Sequence, residues 1–154
     1  MHQLANHVIG ELRWIPPLMR GRSIAEVGDE LSGDLLGDDA AAAWRSAQAE
    51  AMASLNEPGA MERTVQLSFG PTSAEAYIEQ VTADLVIHTW DLARGIHGDE
   101  RLDDSLVAAA SRILEPQIEA WRSGGALGPA VDAGHSADAQ TRFLAATGRD
   151  AART

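Results

Sequence analysis

The sequence predicts an all-α protein, an up-and-down helical bundle built as one domain over residues 1–154. Three observations lead there. Apolar residues recur at three- and four-residue intervals through most of the chain, the period of a helix with one buried face. Capping residues and Gly or Pro bracket these stretches at short separations, as neighbouring antiparallel helices require. Strand-like alternation occurs only near residues 63–69, where Val65, Leu67 and Phe69 interleave with polar residues from Thr64. That is too little for a sheet of its own.

Taken in order, His2 to Ile15 places Leu4, Val8, Leu12 and Ile15 on one side, and Pro16–Pro17 are expected to stop this helix. Ser23 to Val27 adds a short helical turn. Asp38 or Asp39 caps an alanine-rich helix through Trp44 and Met52 that ends near Asn56, Pro58 and Gly59. Thr72-Ser-Ala-Glu75 has the capping-box pattern and opens the longest helix, which runs to about Gly95. Asp103 or Asp104 caps the next, which passes Leu106, Ile113 and Ile118 to Gly124 and is kinked or split at Pro116. A Gly/Pro-rich loop from Gly124 to Gly134 leads to a last short helix near 137–146, stopped by Gly148.

The composition excludes several functions. The net charge is −11, and the densest basic group, Arg13, Arg20 and Arg22, is small, so nucleic acid is not an expected partner. No apolar run approaches the roughly 20 residues that span a bilayer, and MHQLANHVIG lacks the form of a signal peptide. The default compartment is therefore the cytoplasm, with no membrane partner. With no cysteine, disulfides, zinc–thiolate sites and a protein-borne thiol nucleophile are all excluded. Any thiol chemistry must use a thiol from outside.

The chemistry concentrates on the Thr72–Gly95 helix, predicted to be the buried centre of the bundle. At ~100° per residue, Tyr77, Val81, Leu85 and Leu92 share a stripe with Asp84 and His88, and Asp91 lies at its edge. A buried carboxylate needs a partner, a proton or a cation. Asp84 and His88 project from adjacent turns and can offer an oxygen and a nitrogen to one ion. By spacing alone they serve equally well as a hydrogen-bonded pair. On the first helix His7 lies beside Leu4, Val8 and Ile15, with Glu11 one turn on. A lone histidine on an apolar face is more often a satisfied core residue. Packed against Asp84 and His88, however, His7 would complete two imidazoles and one carboxylate with an open position, the pattern of a catalytic metal. Zinc, iron and nickel all suit such donors. Glu11 and Asp91 read as carboxylates that support the ligands rather than bind the ion. His2, His97 and His135 read as surface residues. Trp14, Trp44, Trp90 and Trp121 read as core or interface aromatics.

The stretch Asp84-Leu-Val-Ile-His-Thr-Trp-Asp-Leu-Ala-Arg94 resembles the signature of actinobacterial metal-binding proteins. These belong with the mycothiol-dependent maleylpyruvate isomerases and the wider DinB-like four-helix-bundle superfamily. Asn6-His-Val-Ile-Gly-Glu11, Trp14-Ile-Pro-Pro17, Gly33-Asp-Leu-Leu-Gly-Asp38, Leu67-Ser-Phe-Gly70, Gly128-Pro129, Ala139-Gln-Thr-Arg-Phe-Leu144 and Gly148-Arg-Asp150 are similar as well. The resemblance implies a metal, typically zinc, held by His7, Asp84 and His88, with Asp84 standing where the isomerase has a glutamate. It also implies mycothiol as thiol cosubstrate, activated at the metal to attack a small electrophile. Members of the family begin some tens of residues earlier, with one more helix. Either the start of the chain is assigned too late or a helix of the bundle is missing; in the second case a homodimer or helix exchange is expected to cover the exposed groove.

The expected function is that of a metal-dependent thiol transferase or isomerase acting on a small molecule. The alternative is a non-enzymatic or inactive metal-binding helical module. A zinc-dependent anti-sigma regulator would need a His and Cys cluster, which a chain without cysteine does not supply.

Overall fold

The computed structural model describes residues 1–151. They are mainly helical, with seven α-helices, one 3₁₀ turn and a two-stranded antiparallel hairpin. The chain divides into two compact units, Met1–Val81 and the part from Thr82 onward. The longest helix runs through the division.

In the first unit, α1 (His2–Met19) packs along α3 (Ala40–Leu55). Val8, Ile9, Leu12, Ile15, Leu18 and Met19 form the buried face of α1, and α3 meets it with Ala47, Ala51 and Ser54. Small residues at this seam let two helices approach closely, since side-chain size sets the interaxial distance. The expected stop at Pro16–Pro17 is corrected: both prolines lie inside α1, which continues one more turn. Each removes one backbone donor, yet Pro16, Pro17, Leu18 and Met19 are all buried, and that burial offsets the lost bonds. Arg20 and Arg22 then donate back to the carbonyls of Pro16 and Pro17.

Ser23 caps α2 (Ile24–Val27) with Glu26 in a reciprocal capping box, and the 3₁₀ turn Gly28–Leu31 follows. Asp39 is the residue that caps α3, its side chain accepting from the Ala42 amide. The extended segment has a partner that the alternation did not reveal. Strand β1 (Thr64–Leu67) pairs with β2 (Gly70–Ser73), with Val65 opposite Thr72. Gly-Pro-Thr-Ser carries no apolar alternation, so β2 is invisible to periodicity. Thr72 is thereby drawn into the hairpin and is not the helix cap. Ser73 takes that role, its hydroxyl accepting from the Ala76 amide 3.2 Å away.

Helix α4 (Ala74–Gly95) carries its second half into the other unit. There Ala83, Val86, Ile87 and Trp90 pack with residues of α5 (Asp104–Leu114) and α7 (Ala139–Ala146), among them Val107, Ala110, Leu114, Phe143 and Leu144. The helix expected to pass Pro116 is split there into α5 and α6 (Ile118–Ser123), with Asp103 capping α5. Helix α7 ends in a Schellman turn. The amides of Gly148 and Arg149 donate back to the carbonyls of Ala145 and Leu144, at 3.1 and 2.8 Å. Gly148 has φ +87°, and a Cβ there would lie 3.0 Å from the Gly128 Cα, so both conformation and space demand glycine. Trp90 is buried, whereas Trp44 is 37% exposed.

Candidate metal centre

The apolar half of α4 in the second unit is Ala83, Val86, Ile87 and Trp90, and this anchors the helix in its core. Asp84, His88 and Asp91 project from the flank of that anchored face, where all three are half-buried. His88 is therefore held by a rigid element while its ring stays reachable.

The two ring nitrogens have different partners. Nδ1 lies 2.9 Å from Asp91 Oδ2, the length of a charge-assisted hydrogen bond. Nε2 lies 3.3 Å from Asp84 Oδ1, which is long for such a bond. It is close to the edge of a tetrahedral coordination sphere, about 3.4 Å for donors ~2.1 Å from zinc. Asp91 in turn accepts from Arg149, whose Nη2 is 2.9 Å from Oδ2 and whose Nε is 3.3 Å from Oδ1. Arg149 Nη1 also donates to the Thr147 carbonyl at 2.8 Å. A chain of Arg149, Asp91 and His88 thus fixes the imidazole and, in the neutral ring with Nδ1 as donor, turns the lone pair of Nε2 toward Asp84. Metal-binding histidines are oriented in this manner.

Electrostatics agree with the geometry. Burial disfavours a charged His88, but the hydrogen bonds and charges of Asp84 and Asp91 outweigh it and push its pKa up to about 9. Burial likewise works against a charged Asp91, yet His88 and Arg149 hold its carboxyl below the usual carboxylate range. The two carboxylates beside His88 thus favour a positive charge at its ring.

In the first unit, His7 is exposed on α1 with Nδ1 3.9 Å from Glu11 Oε1. Its position on the first turns is not left to fray. The neighbouring Asn6 side chain donates to the Gly33 carbonyl at 2.9 Å and accepts from the Leu35 amide at 2.7 Å. Two sequence segments, Asn6–Glu11 and Gly33–Asp38, are thereby joined through one amide side chain.

Sequence reading missed three residues here. Arg149 lies 58 positions from Asp91, so no spacing rule connects them. Asn6 bridges to a loop whose conformation the sequence does not reveal. Tyr77 was read as part of an apolar stripe, but its hydroxyl is buried without a hydrogen-bond partner.

Two curated relatives share similarity with this chain. Both are described as uncharacterized proteins of Mycobacterium tuberculosis, one from strain CDC 1551 / Oshkosh and one from strain ATCC 25618 / H37Rv. Each is 33% identical over 85 residues, covering 53% of this chain and 47% of the relative. The chain thus spans about half the length of the curated relatives it matches. No family model matches the sequence, and no solved structure matches it.

Proposed function

We propose that this protein binds a divalent metal ion through His7, Asp84 and His88. The observation that carries the reading is the asymmetric setting of the His88 ring. One nitrogen is locked by Asp91 and Arg149, while the other faces a carboxylate at a separation suited to shared coordination. Imidazole and carboxylate donors suit zinc, and also nickel or iron.

We further infer a DinB-like helical bundle and a metal-dependent thiol transferase or isomerase, with mycothiol as the thiol and a small electrophile as substrate. The resemblance around Asp84–Arg94 supports this, as does the absence of cysteine from the chain. A bound metal of this type lowers the pKa of a coordinated thiol or water. The protein's own residues have simpler tasks. Asp91 and Arg149 orient His88, Asp84 supplies an anionic oxygen, and Asn6 holds the start of α1 that bears His7.

Metal analysis after dialysis tests the binding. One equivalent is expected in the wild type, and less than a tenth of that in His88→Ala. No stoichiometric metal in the wild type sinks the whole reading. Incubating the loaded protein with mycothiol and a panel of electrophiles then tests the chemistry. Metal retained without turnover assigns the protein instead to the non-enzymatic binding modules.

A further inference from the structure

Helix α7 and its cap turn one stripe of residues into a cavity of about 410 Å³. Ala139, Arg142, Phe143, Ala146 and Thr147 recur at the three- and four-residue spacing of a single helix face. Across from them, Ser111 and Leu114 of α5 and Ile118 of α6 repeat the same period. The lining grades from dry to wet. Leu114, Phe143 and Thr147 are at most 4% exposed, whereas Glu115 and Arg142 are exposed. All of these residues belong to the second unit, and none is a candidate metal ligand. The volume lies within the roughly 300–1,000 Å³ of small-molecule sites, and the lining is mostly apolar, as such sites are. Alanine at 139 and 146 keeps the space open where a larger apolar residue would gain stability by burial.

The polar groups of the lining decide which end of a ligand they suit. The two hydroxyls spend their protons on nearby backbone carbonyls, Ser111 on Val107 at 2.8 Å and Thr147 on Leu144 at 2.9 Å. That leaves Arg142 as the donor. Its Nη1 donates to the Ala137 carbonyl, which pins the guanidinium at the mouth of the cavity. Its other N–H groups have no hydrogen-bond partner among the described residues. A planar fork held in this way matches a carboxylate. Glu115, the acidic residue of the lining, is exposed and has no such anchor, so its side chain can turn out to water.

We propose that this cavity binds a small amphipathic monocarboxylate, with its hydrocarbon body against Leu114, Ile118 and Phe143 and its carboxylate on Arg142. The site is independent of the metal reading and stands or falls without it. The net charge of −11 opposes an anion at long range, so a preference for one must come from local contact with Arg142.

Octanoate, 1-octanol and octylamine share a chain length and differ in head-group charge. Calorimetric titration of the full chain with each therefore reads the head-group preference. Octanoate is expected to bind about fivefold more tightly than 1-octanol, the scale of an exposed but bidentate ion pair, and octylamine most weakly. Arg142→Gln should reduce octanoate to the affinity of 1-octanol and leave 1-octanol itself unchanged. Ala146→Leu, which fills the cavity, should abolish binding of all three. Circular dichroism checks the fold of each variant, and where Ala146→Leu does not fold, Ala139→Leu blocks the other end of the stripe. A wild type that binds none of the probes overturns the proposal. So does equal or tighter binding of 1-octanol or octylamine, which would trace any affinity to apolar surface or to Glu115. A preference for octanoate that survives Arg142→Gln overturns it as well, as does unchanged binding in a folded cavity-filling variant.

Discussion

At the scale of single residues, the site depends on how firmly the His88 ring is held. Asp91 holds it by charge as well as by geometry, because Arg149 keeps the carboxylate ionised and fixed. Asp91→Asn retains the shape but loses the charge, and zinc affinity is expected to fall roughly 10- to 100-fold. Competition with a chromophoric chelator measures this, and unchanged affinity would exclude Asp91 as the orienting group. The same charges make the metal-free protein sensitive to pH. His88 titrates near 9 in the folded state, against an ordinary value of 6.5. Folding therefore gains stability from the imidazolium that is fully present below about pH 6.5 and is lost as the pH rises through 9. With the His88 side chain only 16% exposed, solvent screens this modestly, and the loss is at most about 3 kcal/mol. Urea unfolding in the presence of a chelator at pH 6 and pH 9.5 reads it. His88→Ala should flatten the dependence, and a wild type that grows more stable toward alkaline pH contradicts the account. Tyr77 works in the opposite sense. Removing its orphan hydroxyl in Tyr77→Phe should stabilise the ligand-free protein by about 1 kcal/mol, measurable in the same unfolding experiment.

Among the elements, the turn after α7 delivers Arg149 to Asp91. Its geometry depends on Gly148, where a side chain would strain the positive φ and collide with the Gly128–Pro129 backbone. Gly148→Ala is expected to cost at least about 2 kcal/mol in urea unfolding. It should also weaken zinc binding through displacement of Arg149. A variant with lowered stability but normal zinc affinity would uncouple the turn from the site. Gly148 also shows what kind of information a sequence carries. The glycine was legible as a helix stop, but the close approach of Gly128 depends on tertiary packing and was not. The same division holds elsewhere. The Asp84–His88 spacing is local and was readable; the caps were narrowed to Asp38 or Asp39 and to Asp103 or Asp104, and the break at Pro116 to a kink or a split, and the structure selects Asp39, Asp103 and the split. Strand β2 was hidden because Gly-Pro-Thr-Ser has no apolar period. The course of α1 through Pro16–Pro17 was misread because burial outweighed a local breaker. Arg149 and Asn6 act across long separations, where one sequence without relatives offers no pairing signal.

At the scale of the whole molecule, the net charge of −11 complicates any claim of metal binding, because an acidic surface gathers divalent cations without a site. The two kinds of binding differ in range and in chemistry. A diffuse cation atmosphere responds to charge alone and is screened over about 10 Å at 0.1 M salt and about 3 Å at 1 M. A site of imidazole and carboxylate discriminates by ligand type and is screened far less, since its donors contact the ion directly. Magnesium prefers oxygen donors and gives up its water reluctantly, so it serves as the control for charge without ligand chemistry. Zinc at about a thousandfold over its dissociation constant should stabilise the folded protein by about 4 kcal/mol. For a chain of this length, that corresponds to a rise of roughly 10 °C in melting temperature. The rise is expected to persist in 0.5 M potassium chloride, to vanish in His88→Ala, and to reverse on chelation. Magnesium at the same concentration should give almost none of it. Equal responses to zinc and magnesium, both erased by salt, would assign the effect to the acidic surface and leave His88 with Asp84 as a hydrogen-bonded pair.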